Sequence, residues 1–366
     1  MPRLDLIGVS KTYGDIQALV DVSLRVEDKE YVCILGPSGC GKSTLIRCIA
    51  GINEPEKGQI LIDGKHMEKA SIEDRQIGYV FQDIALFPHM SVRDNLSYGL
   101  SVRHAPSKQT VTVTNEMLDL INMRSRSKSY PRELSGGAQQ KVAVGRAIAT
   151  GSRLFLLDEP LGALDALVRA ELRYELRKLA SDLGLTVIHV THDQEEALSI
   201  ADRVVIMKNG RIVEVGKPTE IYLSPRTLFA ENFVGETNLL EGIVSAVNGA
   251  DCAVIIAGRK IVAPACGHKI IGQRVILSIR PEFVPVGLPT PNRWSGQVKQ
   301  VTFFGNLNRY VIELEGGVDV ISEESTAEYG TGFRVGENVS VLLEESVHML
   351  LFDYPAEGLE KEISLE

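Results

Sequence analysis

The sequence predicts an α/β domain built on a largely parallel sheet, spanning residues 1–235, followed by a smaller all-β domain over 236–366. Three observations predict this division. Short unbroken apolar runs alternate with helix-like segments through the first part. A glycine-rich loop lies between one of those runs and one of those helices. Beyond about Gly235 the pattern gives way to brief β-rich stretches interrupted by glycine and proline.

Each element has its own warrant. Tyr31–Leu35, Leu154–Leu157, Val187–Val190 and Val204–Met207 are runs without alternation, which suits strands covered on both faces by helices. His189, in the middle of one run, reads as an ordinary core residue. From Ala163 to Leu179, apolar Leu164, Val168, Leu172, Leu176 and Leu179 recur at helical spacing, with Arg169, Arg173 and Arg177 on the other face. Gln194–Ala201 reads as a helix with acidic residues in its first turn. Gln109–Thr114 is β-branched next to a helical Asn115–Met123, and its boundary stays open. In the second part, Val275–Ile279, Gly296–Phe304, Arg309–Leu314 and Asn338–Leu343 suggest an antiparallel barrel or sandwich. The acidic tail after Asp353 is expected to be loose at its end.

Composition narrows the function. The chain has 366 residues, 39 Lys plus Arg and 48 Asp plus Glu, so its formal charge of −9 argues against general nucleic-acid binding. Mean hydropathy is +0.02, and no uncharged apolar run reaches the roughly 18 residues of a membrane span. The first residues lack the basic and apolar regions of a signal peptide. Cys33, Cys40, Cys48, Cys252 and Cys266 show no CxxC spacing, which points to reduced thiols in a cytoplasmic protein.

The chemistry-bearing motifs come next. Gly36-Pro37-Ser38-Gly39-Cys40-Gly41-Lys42-Ser43-Thr44 satisfies the phosphate-loop pattern, after a buried strand and before the helix continuing through Leu45–Ala50. Its glycines let backbone N–H groups wrap phosphate at a helix N-terminus. Lys42 would neutralise the β and γ oxygens and Ser43 Oγ would coordinate Mg²⁺. Cys40 belongs to the loop, but its side chain need not face a nucleotide. Asp158-Glu159 follows a four-residue apolar run, at the strand end where parallel sheets place their sites. Asp158 can hold Mg²⁺ through its water shell, and Glu159 can orient and polarise an attacking water.

With Leu134-Ser135-Gly136-Gly137 the chain resembles the ATP-binding-cassette ATPases, whose signature motif this is. Tyr13 lies where that family stacks an aromatic on adenine, Gln82 in Val80-Phe81-Gln82-Asp83 matches the Q-loop glutamine, Gly162-Ala163-Leu164-Asp165 resembles the D-loop, and His192 matches the switch histidine. The resemblance implies a mixed-sheet ATPase domain with a helical subdomain near 85–150, ATP and Mg²⁺ as cofactors, and Gln82 beside Ser43 and Asp158 at the metal. It also implies a head-to-tail dimer, in which Ser135, Gly136 and Gly137 bind the γ-phosphate held by the opposite copy. Asp165 would support the facing subunit, and His192 would hold the γ-phosphate and attacking water. Ala138 stands where the family usually has Gln, Lys141 replaces a frequent Arg and Gly145 a commoner Ala. Ala138 is therefore expected to change how the signature helix is anchored.

Without fused membrane spans, a long insertion or a second ATPase unit, the chain resembles a stand-alone importer subunit. Leu277-Ser278-Ile279-Arg280-Pro281-Glu282, Gly296–Gly305 and Leu351-Phe352-Asp353 resemble the OB-like regulatory (TOBE) domain of such subunits; an unrelated β-rich dimerisation domain is the alternative. Tyr79–Phe87, Pro88 and Ser91–Leu100 lie where these subunits receive a permease helix, so Phe81, Leu86 and Phe87 line either a docking groove or simply core. The expectation is an ATP-hydrolysing homodimer, peripheral on the inner face of the cell membrane, with permease subunits as partners and a solute-binding protein acting indirectly. A soluble regulator or assembly factor, and a non-hydrolysing scaffold, are the rivals. Phe303-Phe304-Gly305-Asn306 leans towards polyamine, iron or oxyanion solutes over sugars.

Overall fold

The computed structural model describes residues 3–162, 164–249, 251–264, 269–291, 293–326, 332–343 and 348–365; Ala163 and Cys266, both named above, lie outside them. The chain divides into two compact units, Met1–Thr219 with the last two residues, and Glu220–Ser364. No helix among the described residues is long and apolar enough to cross a membrane.

In chain order the strands of the first unit are β1 (Leu4–Tyr13), β2 (Ile16–Val26), β3 (Tyr31–Leu35), β4 (Lys57–Ile62), β5 (Lys65–His66), β6 (Ile77–Val80), β7 (Leu154–Asp158), β8 (Thr186–Thr191), β9 (Arg203–Lys208) and β10 (Arg211–Gly216). Its helices are α1 (Lys42–Ala50), α2 (Val92–Val102), α3 (Ser107–Leu120), α4 (Gly136–Ala149), α5 (Ala166–Leu183) and α6 (Gln194–Ile200). A six-stranded sheet runs β10-β9-β3-β8-β7-β6, parallel except for β10 at its edge. The four apolar runs are β3, β7, β8 and β9, and β3, β7 and β8 are buried at every position. That is the pattern of strands covered on both sides. An antiparallel sheet, β2-β1-β4-β5, shares one apolar core with it and with α1, which contributes Leu45, Ile46 and Ile49. Helices α2–α4 enclose a separate cluster of Val92, Leu96, Leu118, Ile121, Met123 and Val142.

The open boundary at Gln109–Thr114 resolves as helix. Helix α3 is continuous from Ser107, and Thr110 and Thr112 return their hydroxyls to the Pro106 and Lys108 carbonyls at 3.3 and 3.0 Å. Those local bonds satisfy the β-branched hydroxyls inside the helix. Arg75 is a feature that sequence reasoning did not find. Buried at the C-terminus of α1, it donates from Nη1 to the Cys48 and Ile49 carbonyls at 2.8 Å each. A cation there complements the last carbonyls of the helix that carries the glycine-rich loop.

The second unit is all-β apart from short helical turns. Its strands are β11 (Asn238–Asn248), β12 (Asp251–Ile256), β13 (Arg259–Pro264), β14 (Arg274–Ile279), β15 (Val286–Gly287), β16 (Trp294–Phe303), β17 (Leu307–Leu314), β18 (Val318–Ser325), β19 (Asn338–Val341) and β20 (Met349–Asp353). They form two five-stranded antiparallel sheets, β13-β12-β11-β14-β20 and β15-β19-β16-β17-β18, around one core that includes Trp294, Tyr310 and Leu277. Phe303 and Phe304 stand exposed at the β16–β17 turn.

The compact units meet at Thr219/Glu220, and Leu228 joins an apolar cluster with Ile276 and Phe352 of the β unit. Within the acidic tail, Leu359–Ile363 is a helical turn whose Leu359 and Ile363 pack on that same cluster.

A buried ion pair holds the segment 220–237 to its sheet. Arg280 Nη2 lies 3.1 Å from Glu231 Oε2, with side chains 4% and 2% exposed. Arg280 also donates to the Tyr222 carbonyl at 3.0 and 2.8 Å and lies over the Tyr222 ring, while Thr237 and Ser278 hydroxyls donate to Glu231 Oε1. Removing one partner strands a buried charge, whereas removing both does not. Arg280→Met is therefore expected to destabilise this unit by about 3–5 kcal/mol, and Arg280→Met with Glu231→Leu to recover most of the loss. Urea unfolding followed by fluorescence of Trp294, the sole tryptophan and 1% exposed, reads the unit directly.

Candidate active site

Parallel strands deliver their carboxyl ends to one edge of the sheet, and the site is assembled from the loops that leave those ends. From β3 the chain enters Gly36–Thr44. Gly41 has φ +105°, and a Cβ there would stand 2.4 Å from the Ala18 carbonyl oxygen, so only glycine fits. A Cβ at Gly36 would meet the Met207 carbonyl oxygen at 2.4 Å. Lys42, 5% exposed, folds back over its own loop and donates from Nζ to the Gly36 and Pro37 carbonyls at 2.7 and 2.8 Å. Cys40 turns its thiol into the core, where burial pushes its pKa up; its contribution at the loop surface is backbone.

Asp158 ends β7 at 3% exposure. Ser43 Oγ donates to its Oδ1 at 3.3 Å, and the Tyr79 hydroxyl, from β6, donates to its Oδ2 at 3.0 Å. Burial first, and the neighbouring carboxylate second, push the Tyr79 pKa far up, with Arg47 opposing. Glu159 comes next in the left-handed region at φ +47°, a costly conformation for a side chain of its size, and its N–H donates to the Val190 carbonyl at 2.9 Å. That backbone aims Glu159 Oε2 between Gln82 Nε2 at 3.0 Å and His192 Nδ1 at 3.3 Å. Gln82 and His192 thus both contact Glu159, with which they are expected to act.

A buried chain of polar groups underlies His192. The Tyr31 hydroxyl lies 2.9 Å from His189 Nδ1, His189 Nε2 lies 3.2 Å from Glu196 Oε1, and Thr191 Oγ1 donates to Glu196 Oε2 at 2.6 Å. His189 is therefore a networked core residue. Alongside it, Arg169 donates to Asp193 Oδ2 and to the Leu164 carbonyl at 3.0 Å each, tying the turn before α5 to the residue after His192. Arg173 and Arg177 pair with Glu195 and Asp202, so the arginine face of α5 is a partnered face.

A cleft of about 450 Å³ opens beside the loop. Ser38, Gly39, Lys42, Thr44 and Glu159 line it, and so do Ile16 and Asn209, which sequence reasoning missed because neither carries a motif. Tyr13 does not line it; the ring is half-exposed and its hydroxyl accepts from Asn53 Nδ2 at 2.7 Å. Ser135, Gly136 and Gly137 do not line it either. They form the start of α4, with Ser135 as its cap accepting from Ala138 N–H, and Cβ atoms at the glycines would press on Leu164 and Val168. Asp165 caps α5 by accepting from the Val168 N–H at 3.0 Å. Anchoring of the turn before α4 falls to Gln139, which donates to the Pro131 and Leu134 carbonyls at 3.0 and 3.2 Å, while Ala138 packs on the α2–α4 cluster. Phe81 is exposed and stacks on Tyr79; Leu86 packs on the same helical cluster, and Phe87 contacts Tyr98 and Arg146.

The family described as ABC transporter matches residues 19–162, and the TOBE domain matches 277–351. A spermidine/putrescine import ATP-binding protein of Rubrobacter xylanophilus is 37% identical over 92% of this chain and 90% of its own length. A sulfate/thiosulfate import ATP-binding protein of Chromobacterium violaceum is 41% identical over 87% and 88%. Among solved structures, a dimeric ATP-binding cassette in a post-hydrolysis state with ADP and Pi is 31% identical, with TM-score 0.53, over 59% of this chain and 98% of that one.

The polar chain beneath His192 makes a measurable prediction. Burial alone would raise the Glu196 carboxyl, but His189 and the Thr191 hydroxyl outweigh it and hold the pKa below the usual 4.5. A lowered folded-state pKa adds stability that is present above the unfolded value and lost as pH falls through the folded one. Glu196→Gln should therefore be less stable than wild type at pH 7, and the gap should narrow as pH drops below 4.5. Urea unfolding followed by circular dichroism at several pH values tests this; a gap independent of pH would refute it.

Proposed function

The chain belongs to the ATP-binding-cassette transporter family as an import ATPase subunit with a C-terminal TOBE domain, and from that premise we propose how its residues bind and hydrolyse ATP. Two copies pair head to tail, so that the loop of one faces the Ser135-Gly136-Gly137 turn of the other. What supports a shared site is that the turn stands outside the cleft of its own chain, with N–H groups at the start of an exposed helix end.

The observation that carries the catalytic reading is the convergence of Gln82 and His192 on the Glu159 carboxylate beside the loop. Lys42 exchanges its carbonyl partners for phosphate oxygens. Glu159 accepts a proton from the attacking water, and Gln82 and His192 fix where that water and the γ-phosphate sit. Rate enhancement comes from position and charge, with no covalent step. Ser43 Oγ and Asp158 Oδ1, two hard oxygens already 3.3 Å apart, suit Mg²⁺, with Gln82 as a third donor. The ion would take its remaining ligands from phosphate and water. When bound, Mg²⁺ neutralises developing phosphate charge.

The subunit works on the cytoplasmic face of a permease, and exposed Phe81, next to Gln82, marks the docking side. The solute belongs to the polyamine or oxyanion group, for which import relatives spanning most of the chain are named. Glu159→Gln should lower ATP turnover roughly 10²–10⁴-fold and accumulate an ATP-bound dimer on size exclusion. A monomer that turns over ATP at full rate, indifferent to replacement of Ser135, would refute the reading.

A further inference from the structure

We propose that Tyr79 is a positioning residue for the metal-side carboxylate: its hydroxyl pins Asp158 Oδ2 so that Oδ1 stays turned towards Ser43. This rests on the reading of Ser43 and Asp158 as magnesium-side ligands, and it assigns a task to a residue outside every motif. Asp158 is 3% exposed, and among the described residues its side-chain hydrogen bonds are those from Ser43 at 3.3 Å and Tyr79 at 3.0 Å. A carboxylate oxygen so enclosed has little water to replace a lost donor, so losing one costs more than an exposed hydrogen bond does.

The geometry is fixed on both sides. Strands β6 and β7 are parallel neighbours, with Tyr79 beside Leu156 and Val80 beside Leu157, which places the Tyr79 ring alongside the end of β7. The same ring packs on Phe81 with centroids 4.4 Å apart, so its direction does not depend on the hydroxyl. A phenol on the neighbouring strand offers a donor to Oδ2, the oxygen that Ser43 does not contact. With Oδ2 held, the carboxylate cannot rotate away from Ser43, and the ion meets a preset oxygen. Without the hydroxyl the carboxylate is free to turn, and the gain in nucleotide affinity on adding Mg²⁺ shrinks.

The test separates ion from nucleotide. ATP binding to the full-length protein is measured by titration calorimetry in EDTA and across a series of Mg²⁺ concentrations, for wild type, Tyr79→Phe, Tyr79→Met and Asp158→Asn. Both Tyr79 variants should bind ATP in EDTA like wild type. The Mg²⁺ concentration needed for half of the affinity gain should rise by roughly three- to ten-fold, a fraction of a hydrogen bond to a charged acceptor. In the Asp158→Asn background, Tyr79→Phe should add no further shift, because the group it orients is gone. A Mg²⁺ dependence that is unchanged or tighter in the Tyr79 variants, while Asp158→Asn moves it, overturns the role of Tyr79 and leaves the metal assignment standing. If Asp158→Asn also leaves it unmoved, the metal assignment fails, and this role with it.

Discussion

The register of one parallel ladder determines the site. Leu35 stands beside Thr191, Asp158 beside Val190, and Val80 beside Leu157. These pairings bring the ends of β3, β8, β7 and β6 to a common edge, so the residues just beyond them meet. A slip of one residue would turn each side chain to the opposite face of the sheet. It would bury Glu159 or carry Asp158 away from Ser43. The apolar runs are what prevent it: strands buried on both faces leave no register in which a core residue could be exchanged for a polar one without cost.

That burial explains why much of the site was legible beforehand. A run of four or five apolar residues ending in a carboxylate or a glycine announces both a strand and the chemistry at its tip, and β3 and β7 each have that form. Glu159 could be named from the apolar run that ends in Asp158, whereas Gln82 and His192 were named from the family resemblance of their motifs. Tyr79 could not, since a tyrosine inside Ile77–Val80 looks like any β-forming aromatic, and only its neighbour across the sheet gives it a partner. Ile16 and Asn209 line the cleft from turns that carry no pattern.

What stayed open or unseen has local causes. The boundary at Gln109–Thr114 stayed open because composition does not show where a β-branched hydroxyl can bond; in α3 the carbonyl four residues back accepts it. Leu359 and Ile363 went unremarked in the acidic tail because the charges around them mask them, yet both pack on the Leu228 cluster. Residues 220–237 look like an appendage of the α/β part, yet a buried arginine fifty residues on, Arg280, accounts for their placement with the β unit.

Lys42 shows how this architecture balances the charges it gathers. An ammonium at 5% exposure must have acceptors, and the loop supplies two of its own carbonyls. Glu159 is likewise engaged by Gln82 and His192, and Asp158 by Ser43 and Tyr79. Each of these three charged groups is therefore satisfied internally. Under the proposed function, phosphate oxygens would take the place of the carbonyls at Lys42, so that the free energy gained is the difference between two paired arrangements. The loop itself is held by Gly36 and Gly41 against neighbouring backbone.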